Sequence, residues 1–127
     1  KTFNGETIPS IVFTKGGGLW MSEMQSLDCN VLGMDWSVNL AKARAQLGAT
    51  HALQGNLDPN VLFASPEQVT EQAKAVLDSF GQPHQGDGKG PTHIFNLGHG
   101  ISQFTPPENV AVLVEAVHSH SKAMRQK

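Results

Sequence analysis

A single cysteine, Cys29, is present in 127 residues. An internal disulfide is excluded, and a lone thiol fits a reducing compartment. Cys29 stands in an apolar setting ahead of a strand, so it is expected to be core filler and not a nucleophile. It has no histidine or cysteine close by in sequence, which leaves a zinc reading without ligands. No apolar run approaches membrane-spanning length and no secretory leader is visible. No basic patch or tail stands out, and the formal net charge is −2 at pH 7. General attraction to nucleic acid or to an anionic membrane is therefore not expected. An initiator methionine is also missing ahead of Lys1, from which a fragment or a processed product is expected.

What is present is enough chain for one domain with a real core, spanning residues 1–127. Four strand-then-helix units can be read, with no antiparallel hairpin signal. The first strand covers residues 10–14 and ends at Lys15 and the turn Gly16-Gly17-Gly18; the helix after it carries Leu19, Trp20, Met24 and Leu27. The second covers 31–34 and ends at Asp35-Trp36, with Ser37 as a helix cap and Val38, Ala41 and Ala45 on one helical face, up to Gly48. The third covers 51–55 and ends at Asn56, ahead of Asp58-Pro59. Ser65-Pro66-Glu67-Gln68 then opens a helix whose stripe is Val69, Ala73, Val76, Leu77 and Phe80. Residues 81–91 hold four glycines and two prolines and read as a mobile surface loop. The fourth strand, 93–96, reads as buried. The last helix opens at Thr105-Pro106-Pro107-Glu108, with the same capping logic, and buries Val110, Leu113, Val117 and Met124.

Strands joined through helices are parallel and their crossovers right-handed. Lys15, Asp35, Asn56, Asp58 and His99 then gather at the carboxyl-terminal edge of one sheet, where α/β folds bind ligands. His99 is the most informative of these. It lies in Asn96-Leu97-Gly98-His99-Gly100, an imidazole placed between two glycines directly after a strand. The glycines leave the backbone free to turn tightly. Four units do not close a barrel, which needs about eight strands. On pattern alone, an open doubly wound sheet and a piece of a barrel both fit.

Other motifs carry less. Gly86-Asp87-Gly88-Lys89-Gly90 lacks the spacing of a phosphate loop and precedes a strand where such a loop precedes a helix. His118 and His120, two apart on a helix, face different ways; Glu115 and His118 could share a face but have no second pair to complete a metal site. His51 stands at the start of a strand, the wrong end of the sheet for a site.

Several longer runs carry a resemblance from end to end. They are Phe13-Thr14-Lys15-Gly16-Gly17-Gly18, Leu32-Gly33-Met34-Asp35-Trp36, Ala52 through Pro59, Asn96 through Gly100, Pro107-Glu108-Asn109-Val110 and Val114 through His118. In order and spacing the chain resembles the carboxyl-terminal part of the uroporphyrinogen decarboxylase family. The resemblance implies α/β architecture of parallel (β/α) units, with these four strands as the second half of a (β/α)8 TIM-type barrel. It implies a cytoplasmic homodimer that takes carbon dioxide from the four acetate side chains of uroporphyrinogen III and yields coproporphyrinogen III in haem biosynthesis. It implies neither metal nor organic cofactor, and neither nucleic acid nor membrane as partner. The family's arginine-rich segment, key aspartate and tyrosine have no counterpart here, so no catalytic residue is expected within these residues, and the chain alone is expected to be inactive. His99 matches the family's substrate-contacting histidine. Lys15, Asp35, Asn56 and Asp58 stay as structural residues of the rim.

Two rivals remain. A corrinoid-dependent methyltransferase of the same superfamily would bind zinc through a His-x-Cys, which the sequence does not contain. A non-enzymatic half-barrel, serving as a binding or assembly module, would fit if these residues were the whole gene product.

Overall fold

The computed structural model describes residues 2–48, 50–82 and 92–126. The glycine-rich segment read above as a surface loop, and as a failed phosphate loop, lies outside them from residue 83 to 91. Strands β3 (Ile11–Phe13), β4 (Val31–Gly33), β5 (Ala52–Leu57) and β6 (His93–Leu97) form one parallel sheet in the order β3-β4-β5-β6. Each sheet neighbour is also the next strand in the chain. Right-handed crossovers between strands in monotonic order deliver every helix to the same face, whereas a doubly wound sheet needs a reversal of order. The topology is thus that of a barrel wall.

One face of the sheet holds the core. Leu32 and Leu53 pack with Leu40, Ala43 and Leu47 of α2 (Leu40–Leu47) and with Phe80 of α3 (Pro66–Phe80). Leu57, Phe95 and Leu97 pack with Val69 and Ala73 of α3 and with Leu113 and Ala116 of α4 (Pro107–Met124). Each fully buried leucine of this set contributes about 1.5–3 kcal/mol over its exposed state. The stripe expected on α3 is the one observed, and the Ser65 hydroxyl accepts from the Gln68 amide as its cap.

The opposite face carries the row Phe13, Gly33, Gln54 and Ile94, aligned by register across all four strands. Phe13 and Ile94 are exposed. No described helix covers this face. Parallel sheets are covered on both sides in finished folds. β6 therefore alternates between helix-facing His93, Phe95 and Leu97 and exposed Ile94 and Asn96, and is not buried throughout as expected.

Several local expectations are corrected. A two-strand antiparallel hairpin, β1 (Thr2–Phe3) with β2 (Glu6–Thr7), precedes the sheet. Its turn is Asn4-Gly5, both at positive φ, and Asn-Gly is a strong hairpin signal that the flanking strands were too short to bring out. The helix after β3 is a 3-10 turn (Gly17–Trp20) and a single α turn, α1 (Met21–Met24), which buries Met24 but leaves Leu19, Trp20 and Leu27 exposed. α2 is capped by Asn39, whose side chain accepts from the Lys42 amide at 3.0 Å; Ser37 instead bonds to Asp35. Its buried face is Leu40, Ala43 and Leu47, and Ala41 and Ala45 are exposed. Starting the helix two residues later turns the buried face by a little over half a turn. β5 runs on through Asn56 to Leu57. α4 has no side-chain cap: its N-cap is Pro106, and Thr105 is buried with a hydroxyl that has no partner among the described residues.

Candidate active-site rim

The rim is the set of loops after the four strands, and Asp35 ties the first two of them to each other and to the end of β5. Its carboxylate accepts from the Gly16 amide beyond β3, from the Ser37 amide at 2.8 Å and from the Ser37 hydroxyl. Its main-chain carbonyl accepts from the Asn56 side-chain amide at 2.7 Å, and the same Asn56 amide donates to the Val38 carbonyl at 2.6 Å. Burial alone would push the Asp35 carboxyl up; the Ser37 hydroxyl, the Gly16 and Ser37 amides and the nearby Lys15 charge outweigh it and hold it below the usual carboxylate range. Asp35 is therefore an ionised brace and has no proton to give at neutral pH.

The fourth loop docks on this brace through Gly98. Its amide donates to the Leu57 carbonyl at 2.8 Å. A Cβ at Gly98 would stand 2.3 Å from the Trp36 amide nitrogen and 2.9 Å from the Asp35 carbonyl carbon. Close backbone approach is thus what Gly98 serves, and the turn around His99 is made without positive φ at Gly98 or Gly100. A Cβ at Gly100 would meet nothing within 4 Å.

His99 follows, exposed, over a cleft of about 570 Å³ on the uncovered sheet face. Phe13, Met34, Gln54, Asn96 and Ile101 line it with His99. The mixture is an apolar floor with two amides and one imidazole, the lining of a site that holds an apolar body and orients its polar groups. Lys15 lies at the same rim, its Nζ 5.6 Å from the centre of the Trp36 ring. Asp58 does not join them. Its carboxylate accepts from the Asn60 amide at 2.9 Å and caps the 3-10 turn Pro59–Phe63, on the helical side of the sheet.

Three other described histidines have structural partners. His51 is buried at the other end of the sheet, 2.8 Å from the Thr50 hydroxyl and 3.1 Å from the Leu27 carbonyl. His93 donates from Nε2 to the Gly55 carbonyl at 2.7 Å and stacks on Phe80; burial holds its pKa below the ordinary histidine value against the raising effect of that bond. His120 pairs with Asp78 at 2.7 Å across α3 and α4. Among the described residues no group of three histidine, cysteine or acidic side chains converges as a metal site, and no helix is long and apolar enough to cross a membrane.

Sequence reasoning missed Gln54, Asn96 and Trp36. The first two carry a signal, since each is a polar residue at the outward phase of a strand whose neighbours face the helices. Trp36 carried none beyond its place after Asp35.

The Uroporphyrinogen decarboxylase (URO-D) family matches residues 1–120. The chain belongs to this family. It is 70% identical over 122 residues to a uroporphyrinogen decarboxylase of Albidiferax ferrireducens, a match covering 96% of this chain and 33% of that protein. It is 66% identical over 130 residues to one of Delftia acidovorans, covering 98% and 35%, and 65% identical over 128 residues to one of Paracidovorax citrulli, covering 96% and 34%. The chain thus spans about a third of the length of the curated relatives it matches. The fold is α/β, four parallel βα units that form part of a TIM-type barrel. With relatives of this identity carrying the decarboxylase name, the methyltransferase alternative is not favoured.

Proposed function

We propose that the protein carrying this chain is a carboxy-lyase that removes carbon dioxide from the four acetate side chains of uroporphyrinogen III and releases coproporphyrinogen III. Residues 1–127 supply the carboxyl-terminal half of its barrel, and the intact protein works as a cytoplasmic homodimer. The observation that carries this proposal is His99 standing over a cleft on the uncovered sheet face of a chain 70% identical to a named decarboxylase.

The chemistry needs no metal or organic cofactor. Protonating a pyrrole carbon beside its acetate turns the ring into an electron sink. The acetate carboxylate then leaves as carbon dioxide, and its electrons return to the ring. A second proton completes the methyl group, and the ring carbon gives up the first proton to restore the pyrrole. The protein must supply protons, stabilise the ring cation and hold the other carboxylates still. His99 takes the last task, as a hydrogen-bond or charge contact to a propionate or acetate. Lys15 adds positive charge to the same rim. Asp35, Asn56 and Asp58 fix the loops. The proton donor and the main cation-stabilising groups come from outside these residues. Anaerobic incubation of the intact protein with uroporphyrinogen III, followed by oxidation and chromatography of the porphyrins, tests the proposal. Stepwise loss of carboxylates down to the four-carboxyl product is expected; unchanged eight-carboxyl substrate refutes it.

A further inference from the structure

We propose that Trp36 is a positioning residue for substrate binding: its indole is a shared platform that sets the orientation of His99 and Lys15 at the mouth of the cleft. The proposal rests on the substrate-binding role given to His99 above. His99 has little else to hold it. Its imidazole is exposed, and its one hydrogen-bond contact among the described residues is a long one, Nδ1 to the Gly100 carbonyl at 3.4 Å. The Trp36 ring, by contrast, meets it at a centroid distance of 5.5 Å and an interplanar angle of 89°, the edge-to-face geometry that aromatic quadrupoles favour. Lys15 holds its Nζ 5.6 Å from the same ring, within cation–π range.

Trp36 can serve as a platform because its own backbone is fixed on both sides. Asn56 holds the Asp35 carbonyl before it and the Val38 carbonyl two residues after it, from a buried side chain. The Asp35 carboxylate binds the Ser37 amide on one flank and, across the loop, the Gly16 amide beside Lys15. Gly98 lies against the Trp36 amide with no room for a Cβ. One loop therefore braces the chain just after Lys15 and just before His99, and its single aromatic side chain meets both the Lys15 ammonium and the His99 imidazole. A rim side chain free to swing would lose orientation entropy on meeting a carboxylate; one resting on a braced ring loses less.

The test uses the intact protein with Trp36→Leu and Trp36→Phe. His99 is followed by its imidazole carbon-bound proton resonance, assigned with His99→Asn, and decarboxylation by KM and kcat. Trp36→Leu is expected to shift the His99 resonance and raise KM about 3- to 10-fold with kcat within about 2-fold, the range an aromatic pair of this kind supports. Trp36→Phe, which keeps an aromatic face, is expected to return KM to within about 2-fold of the unsubstituted protein. A folded Trp36→Leu protein with unchanged His99 resonance and KM overturns the proposal. If that variant does not fold, the unsubstituted protein still decides: a nuclear Overhauser contact between the Trp36 indole and His99 imidazole protons supports it, and its absence overturns it. Should the intact protein fail to decarboxylate uroporphyrinogen, the function proposed above falls, while the resonance and contact measurements still judge the platform.

Discussion

Gly98→Ala is the sharpest perturbation that the rim geometry offers. The added methyl would stand 2.3 Å from the Trp36 amide nitrogen and 2.9 Å from both the Trp36 Cα and the Asp35 carbonyl carbon. All three are backbone atoms, so no rotamer change relieves the clash. Ordinary contact for a methyl begins near 3.4 Å, so the two loops must separate by roughly 1 Å. The Trp36 side is braced by Asn56 and Asp35. The loop that gives way is therefore the one carrying His99. A misplacement of about 1 Å at a binding group can cost about 100-fold in rate. We expect Gly98→Ala to lower kcat/KM of the intact protein by about 10- to 100-fold, with a destabilisation of about 1–3 kcal/mol, as for overpacking elsewhere. Gly100→Ala is the control: it has the same chemistry two residues on, no atom within 4 Å and no positive φ. It should stay within about 2-fold of the unsubstituted rate. Steady-state kinetics beside thermal melts on the three proteins decide the matter. Unimpaired Gly98→Ala turnover, or equal damage from the two substitutions, would refute the reasoning.

His99→Asn keeps the approximate shape but removes the imidazole; losing its hydrogen bond to a substrate carboxylate, worth about 1.5–3 kcal/mol, predicts roughly a 10- to 100-fold fall in kcat/KM with the melt unchanged. His51→Asn, at the far end of the sheet and buried on two partners, should cost stability of about 1–3 kcal/mol and leave kcat of the folded protein alone, which paired melts and rates will show. His93 is held neutral by burial, so protonation favours the unfolded chain. Its contribution to stability is complete above the ordinary histidine pKa of about 6.5 and is lost as pH falls from there through its lower folded value. Denaturant midpoints measured from pH 8 to 5 should decline over that window, and less so in His93→Gln. The isolated 127-residue chain should show no decarboxylation, and its open sheet face and two unpaired edges should drive self-association; a monodisperse monomer in light scattering, or measurable turnover, would contradict this.

The parallel sheet and its strand positions were legible because each strand is a short apolar run closed by a polar or glycine residue, a signal of type and place together. The α3 stripe was legible for the same reason over four turns. Boundaries near α2 and α4 were not. Ser37, Asn39 and Thr105 all have the chemistry of a cap, and only the fold shows that Ser37 serves Asp35 and that Thr105 is enclosed without a partner among the described residues. At the rim, strand direction alone brought Lys15, Asp35, Asn56 and His99 to one edge. What it could not show was the division of labour: Asp35 and Asn56 brace, Asp58 caps on the other side, and His99 faces the cleft. Trp36 was invisible because its importance lies in two contacts across the sheet and in no sequence pattern of its own.

The monotonic order β3-β4-β5-β6 also sets how such a chain assembles. Every strand finds its template in the unit made just before it, so each addition closes a loop of only some 20–40 residues and pays a modest entropy cost. Growth of this kind can follow synthesis, one unit at a time. The exception is the seam. In a TIM-type barrel wound in this order, the free edge of β3 would meet the strand made just before it, and only the last strand closing on the first would be a contact of long sequence separation. Barrel closure is then expected to be the slow step, and half-finished walls with two live edges the aggregation-prone species.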